Sequence, residues 1–309
     1  MKKILSSILG GALLTGCGAN QVQMPNGSCS DVAGVKKVLK DDRKSVIMFG
    51  HIHGTNESPK FVGDVLCHAV QDRKSVDLYL LVNAENQPFL DAFMASSGTN
   101  EDVERLLLSS FWANDNAGHS SLAMFNFVDI ARRYKSAGAD VKLWAYTNYK
   151  SPSADVEPYD SESQQQLAIE AADFINNKMK RSSADKHFIL SGDADASMEG
   201  LEFATGMYQP MRKFLSENSV YSLRMMASGG NAWVCWISTN EKSGISTTEC
   251  GGRDWDDDTE YLKSQNYPYG FLSISETTAD YYTSKYDGFY FVGGMSASPP
   301  ARTKLEKIP

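Results

Sequence analysis

Short runs of consecutive apolar residues, separated by longer stretches in which apolar residues return every three or four positions, constrain this chain more than any other feature. Ser45 to Phe49 (SVIMF), Val76 to Val82 (VDLYLLV), Val141 to Tyr146 (VKLWAY) and His187 to Leu190 (HFIL) read as buried strands. After the first, Ser58-Pro59 opens a helix whose apolar set Phe61, Val62, Val65, Leu66, Ala69 and Val70 recurs at helical spacing. Further helices are expected near 86–97, 100–110, 121–137 and 161–182, and one around 197–216 after the fourth strand. Strands that alternate with helices pair in parallel through right-handed crossovers, which predicts an α/β sheet covered on both faces. From Val220 the pattern changes to short β-rich runs (VYSLRMMA, AWVCWIS, GISTTEC, GFLSI, FYFVGG) with few helical stretches. These predict antiparallel strands that extend the same sheet or form a small β appendage, with Gly229-Gly230 as a hairpin turn. The fold class is therefore α/β: a mainly parallel sheet flanked by helices, with an antiparallel β-rich C-terminal extension.

Composition narrows the function. A chain of 309 residues with 42% hydrophobic and 22% charged residues is neither disordered nor a multi-span membrane protein. A formal net charge of -8 argues against a surface built to grip phosphate, so nucleic acid is excluded as a partner. Five cysteines are an odd number, and the N-terminus accounts for one of them. Lys2 and Lys3 precede a short apolar stretch, Ile4 to Leu14, too short to span a bilayer permanently. It ends in Leu14-Thr15-Gly16-Cys17, which resembles a bacterial lipobox. Residues 1–16 are then a lipoprotein signal peptide, Cys17 is the lipidated (palmitate-bearing) residue, and 17–28 form a polar tether. A plain secretory signal is the alternative. Gly18 in place of an Asp resembles outer-membrane sorting, so the expected location is the cell envelope, with the membrane as partner through the N-terminal lipid. Loss of Lys2 and Lys3 moves the formal charge from -8 to -10. Residues 29–309 read as one domain, because nothing at 217–219 resembles a linker.

Four cysteines remain, and three pairings are open to them. An oxidising compartment favours two disulfides, with Cys235–Cys250 as a natural hairpin staple across a turn-rich segment and Cys29–Cys67 tying the N-terminus to the first long helix. Buried free thiols are the other reading; no CxxC spacing suggests metal.

In open α/β sheets, sites form at the carboxyl ends of the strands. Those ends are polar in this chain: Gly50-His51-Ile52-His53-Gly54-Thr55-Asn56-Glu57 after strand one, Asn83 and Glu85 after strand two, Asn148 after strand three, and Gly192-Asp193-Ala194-Asp195 after strand four. If strands one and four are neighbours, His51, His53, Asp193 and Asp195 converge. Imidazole and carboxylate together form a workable shell for a divalent metal that activates water. The plainer reading assigns Asn56, Ser58, Glu57 and Glu199 to helix caps and first turns. The acidic run Asp254 to Asp258 lacks the spacing of a calcium loop. No G-x-S-x-G elbow and no Gly-rich phosphate loop occurs.

The stretch Gly50 to Cys67 (GHIHGTNESPKFVGDVLC) resembles the first motif of the erythromycin esterase / ChaN / Tiki superfamily, roughly G-E-x-H-G-T-x-E-x-P. Leu80 to Met94, Phe111 to Met124 (FWANDNAGHSSLAM), Ile189 to Ala196 (ILSGDADA) and Gly288 to Pro300 (GFYFVGGMSASPP) resemble later blocks, in order. The resemblance implies an α/β fold and a polar centre built from Gly50, His53, Gly54, Thr55, Glu57 and Pro59. It also marks departures. His51 stands where the motif is acidic, Leu81 where strand two should end in an acid, Ala117 and His119 where the family has Asp and Arg, and Asp195 where it has a second histidine. Leu81 can neither ligate a metal nor move a proton, and His119 lacks a guanidinium's bidentate grip. Three functions follow. One is a non-catalytic envelope protein that keeps the cleft for a ligand, with metal or haem implied by ChaN-type relatives. Another is a metal-dependent ester or peptide hydrolase with a rebuilt site: His53, Glu57, His51 and His119 in catalytic roles, and His51, His53, Asp195 and Asp193 as metal ligands. The third is an interaction protein without a small-molecule site. No Tyr or Met can be nominated as an axial haem ligand from the sequence.

Overall fold

The computed structural model describes residues 27–114, 118–148, 161–203, 206–216, 220–239, 246–255, 265–276 and 285–307. The signal peptide, Cys17 and most of the tether lie outside the described residues, as do Ala117, the turn at 240–245 and the end of the acidic run at 256–258.

The apolar runs form the strands expected of them: β1 (Val46–His51), β2 (Val76–Asn83), β3 (Val141–Thr147) and β4 (Lys186–Gly192). Every residue of β1 and β4 is buried, which is why their sequences show no polar alternation. The helix before them is α1 (Val35–Lys40), and those between them are α2 (Glu57–Gln71), α3 (Gln87–Ala95), α4 (Asn100–Leu107), α5 (Ser110–Asn114), α6 (Leu122–Ser136) and α7 (Ser161–Met179). Local chemistry sets their starts. Thr99 and Asp102 form a reciprocal capping box on α4, and the Ser121 hydroxyl accepts from Met124 N–H at the start of α6.

Beyond β4 the chain departs from the helix expected over 197–216. One helical turn, α8 (Asp193–Ala196), is followed by an antiparallel pair, β5 (Leu201–Phe203) and β6 (Gly206–Tyr208), and a 3-10 turn at Met211–Phe214. Ser197 breaks the helix locally, since its hydroxyl donates to Glu199 O (3.0 Å) and accepts from Glu199 N–H (3.1 Å). Gly200 also packs against Gln209 and Tyr208, where a Cβ would stand 3.0–3.1 Å from their atoms.

The C-terminal β-rich runs become β7 (Val220–Met226), β8 (Gly230–Thr239), β9 (Ser246–Trp255), β10 (Gly270–Leu272) and β11 (Gly288–Phe291). The main sheet has the order β10-β11-β7-β1-β4-β2-β3. β7 and β11 join it in parallel, and β10 alone is antiparallel to its neighbour. The antiparallel extension is therefore mostly the separate β8–β9 ribbon. Gly229-Gly230 is not a hairpin turn, because β7 and β8 belong to different sheets. These glycines (φ 95° and 132°) carry the chain from sheet to ribbon, and at Gly230 a Cβ would stand 1.8 Å from Met295 O.

Two apolar layers flank the sheet. One places Phe49, Leu78, Phe188 and Tyr290 against α2 and α6; the other places Met48, Tyr79, Ile189 and Phe289 against α7. The Phe49 ring meets Phe188 and Tyr290 edge-on, each with centroids 5.7 Å apart. Both disulfides are present as Cys29–Cys67 and Cys235–Cys250, the second between directly opposed ribbon residues. His187 is buried beside Tyr79 and Asp77. Among the described residues no helix is long and apolar enough to cross a membrane.

Candidate functional site

β1 lies at the centre of the sheet, between β4 and β7, and His51 is in register with Gly192. The two polar strand ends singled out in the sequence are thus neighbours. α8 sits directly over the end of β1. A Cβ on Gly50 would stand 2.7 Å from Ala196 Cβ and 3.2 Å from Asp193 Cα, so only glycine admits this approach.

Three histidines assemble here. His51 is almost fully buried, and its Nε2 lies 3.1 Å from His53 Nδ1. The two rings meet edge-on at 4.5 Å, and His53 in turn lies 4.1 Å from the His119 ring. His119 arrives from the loop before α6, where Gly118 (φ 87°) packs on Gly54 and Trp233 O, both under 3 Å from a would-be Cβ. Burial pushes His51 down to about 4, opposed by the main chain of Ser191 and reinforced by His119. Burial, then His119 and His51, hold His53 well below the usual imidazole range. Both rings are therefore neutral at pH 7 and weakly basic.

The carboxylates near these rings are engaged elsewhere. Asp193 pairs with Arg224 on β7 at 3.0 Å. Asp195 accepts a short hydrogen bond from the Tyr208 hydroxyl on β6. Burial raises the Asp195 carboxyl, against the pull of that bond. Glu57 binds Ser296, accepting from its N–H (2.9 Å) and its hydroxyl (2.6 Å). Leu81, where the resembled family has an acid, packs partly buried against the α7 layer.

This arrangement does not fit a metal. Among the described residues no group of three or more His, Cys, Asp or Glu side chains is placed to hold a metal ion. Of the expected ligands, His51 and His53 bond to each other, and Asp193 and Asp195 are held by Arg224 and Tyr208. Haem ligation through tyrosinate fits no better. Tyr146 donates to Leu190 O, Tyr208 to Asp195, Tyr286 to Asp193 O and Tyr290 to Gly50 O. Burial also holds Tyr146, Tyr208 and Tyr290 above the usual phenol range.

One small space is defined between the remaining polar atoms. A Cβ on Gly192 would stand 3.1 Å from His53 Nε2 and 3.6 Å from Asp195 Oδ2, so glycine leaves a niche between imidazole and carboxylate. Tyr208 and Arg224 escaped the sequence reading. Arg224 had a trace, as a charged residue within a strand-like run. Tyr208 had none, because its segment read as helix.

No family model and no curated protein matches the sequence. Solved structures do match in shape. A succinoglycan biosynthesis protein aligns with TM-score 0.62 at 10% identity, over 86% of this chain and 91% of that one. A mutant of the erythromycin esterase EreC, in its open conformation, aligns with TM-score 0.59 at 8% identity, over 84% and 92%. A protein from Bacillus cereus aligns with TM-score 0.52 at 11% identity, over 87% and 94%. At these identities the likeness carries the architecture only, and it covers nearly the whole of each partner: this chain has an erythromycin esterase-like fold.

Proposed function

We propose that this is a lipid-anchored protein of the bacterial outer membrane whose esterase-like cleft binds an uncharged organic ligand without hydrolysing it. The Leu14-Thr15-Gly16-Cys17 tetrapeptide supports the anchor. The observation that carries the binding reading is the state of the polar centre. Each carboxylate beside the histidines has a protein partner, and two of the three imidazoles are held neutral. Neutral imidazoles offer single hydrogen bonds and no charge, which suit an uncharged, hydrogen-bonding ligand better than an ion. Metal and haem are the less supported ligands, because Asp193 and Asp195 are tied to Arg224 and Tyr208 and no group of three donors converges among the described residues.

A second reading rests on a specific feature of His53. With Nδ1 turned to His51, Nε2 borders the niche at Gly192 and could serve as a general base in metal-independent ester hydrolysis. Turnover of p-nitrophenyl acetate and of erythromycin separates the two. The binding reading expects no rate above that of His53→Ala, whereas hydrolysis lost in His53→Ala establishes the enzyme and overturns it. Metal content of untagged protein is expected to fall well below one equivalent; a full equivalent, lost in His53→Ala, would restore the metal.

A further inference from the structure

Two loops bring His53 and His119 together, and one stretch of chain, residues 296–301, is bonded to both. On the His53 side, Gly54 O accepts from Ser298 N–H (2.7 Å), Asn56 N–H donates to Ser296 O (3.0 Å), and Thr55 bridges to Ala297. Glu57 closes the same end on Ser296. On the His119 side, Ala301 N–H donates to Ser120 O (2.8 Å), Leu122 N–H to Pro299 O (2.7 Å), and Ser121 bridges to Pro300. Ser298 joins the two sides. Its N–H holds the residue after His53, while its hydroxyl accepts from Ala123 N–H (2.9 Å) in the first turn of α6. The residue is fully buried, so neither bond has water as a substitute.

We infer that residues 296–301 act as a strap that sets the contact between His53 and His119, with Ser298 as its positioning residue. The two histidines come from loops 66 positions apart and on different elements; Gly118 packs directly on Gly54, and the strap adds the hydrogen bonds that hold the loops at that contact. Between them the described main-chain bonds run through the strap. By reciprocity, anything that engages both rings favours the docked strap, and a loosened strap weakens that engagement. The inference holds whether the site binds or hydrolyses its ligand, so it fails or stands separately from the proposed function.

The test is a nuclear Overhauser experiment on full-length protein carrying 13C-labelled histidine. Wild type is expected to show cross-peaks within both ring pairs, His51–His53 and His53–His119. Ser298→Ala keeps the N–H bond to Gly54 and loses the bond to α6. It is expected to lose the His53–His119 cross-peak at least several-fold while the His51–His53 peak, internal to one loop, is retained. A folded Ser298→Ala protein with an unchanged His53–His119 peak overturns the inference, since a purely stabilising serine would lower the melting temperature without moving that peak. If Ser298→Ala does not fold, Ser296→Ala is read the same way at the more exposed end of the strap. A weakened His53–His119 peak supports the strap and an unchanged one overturns it.

Discussion

At Gly50 and Gly54 a single missing Cβ decides how the site is built. Gly50 lets α8 close over β1, with Ala196 Cβ 2.7 Å and Leu223 O 3.0 Å from where a Cβ would be. Gly54 combines φ 71° with a would-be contact of 2.1 Å to Trp233 O. Gly50→Ala should destabilise by about 1–3 kcal/mol, the usual range for overpacking, and Gly54→Ala by more because backbone strain adds to the clash; urea unfolding midpoints measure both. The buried imidazoles give a pH dependence of definite sign. His51 is held near 4 when folded against 6.5 as its ordinary value, so the unfolded chain takes up the proton first as pH falls. Stability is therefore lost on acidification from 6.5 toward 4, by ~1.4 kcal/mol per pH unit for this one group and ~3 kcal/mol in all. His53 acts in the same direction. Asp195, raised by burial, acts oppositely: its contribution is lost as pH rises through its folded value. Denaturation at pH 7.5 and pH 5 is expected to show the loss, and His51→Leu should flatten it.

At the scale of elements, the β8–β9 ribbon is the part least supported by the core. Its ladder is internal, with β8 tied to the rest only near its start, by the Gly230–Met295 bridge and Trp233 N–H to Gly54 O among the described residues, and an isolated two-stranded ribbon is marginal in water. Cys235–Cys250 closes a loop of sequence separation 15, for which the chain-entropy account gives about 3 kcal/mol. Cys235→Ser with Cys250→Ser should speed amide exchange in 246–255 while leaving β1 and β4 protected; equal protection in both proteins would deny the staple its role. The segment 197–216 teaches a related lesson. Its helical reading failed because Ser197 bonds its own neighbourhood and Gly200 accommodates a close approach. The four core strands, by contrast, were legible because continuous apolar runs can be satisfied only by burial on both faces.

For the whole molecule, location and architecture are separate matters. If Cys17 carries the lipid, Cys17→Ser should move the protein from the membrane fraction to the soluble periplasmic extract with its fold unchanged, since anchoring by acyl chains is independent of the core. Fractionation followed by circular dichroism reads both outcomes. The fold of the main sheet was largely readable in advance, including the polar residues at its carboxyl edge. The site was readable only as an inventory: His51, His53, His119, Asp193 and Asp195 were all named, yet their partners were not.

Hydrophobic periodicity is local, and so the strands, most helices, a mainly parallel sheet and its polar carboxyl edge follow from residue order alone. Pairing is not local. Arg224 reaches Asp193 because the order β7-β1-β4 places distant segments side by side, Ser296 reaches Glu57 across 239 positions, and Tyr208 reaches Asp195 through the β5–β6 turn that replaced a helix. A carboxylate beside an imidazole becomes a metal ligand, a proton carrier or a structural tie according to what else lies within about 3 Å of it. Those neighbours come from tertiary structure, which here gives Asp193, Asp195 and Glu57 each a protein partner and groups three histidines at the centre.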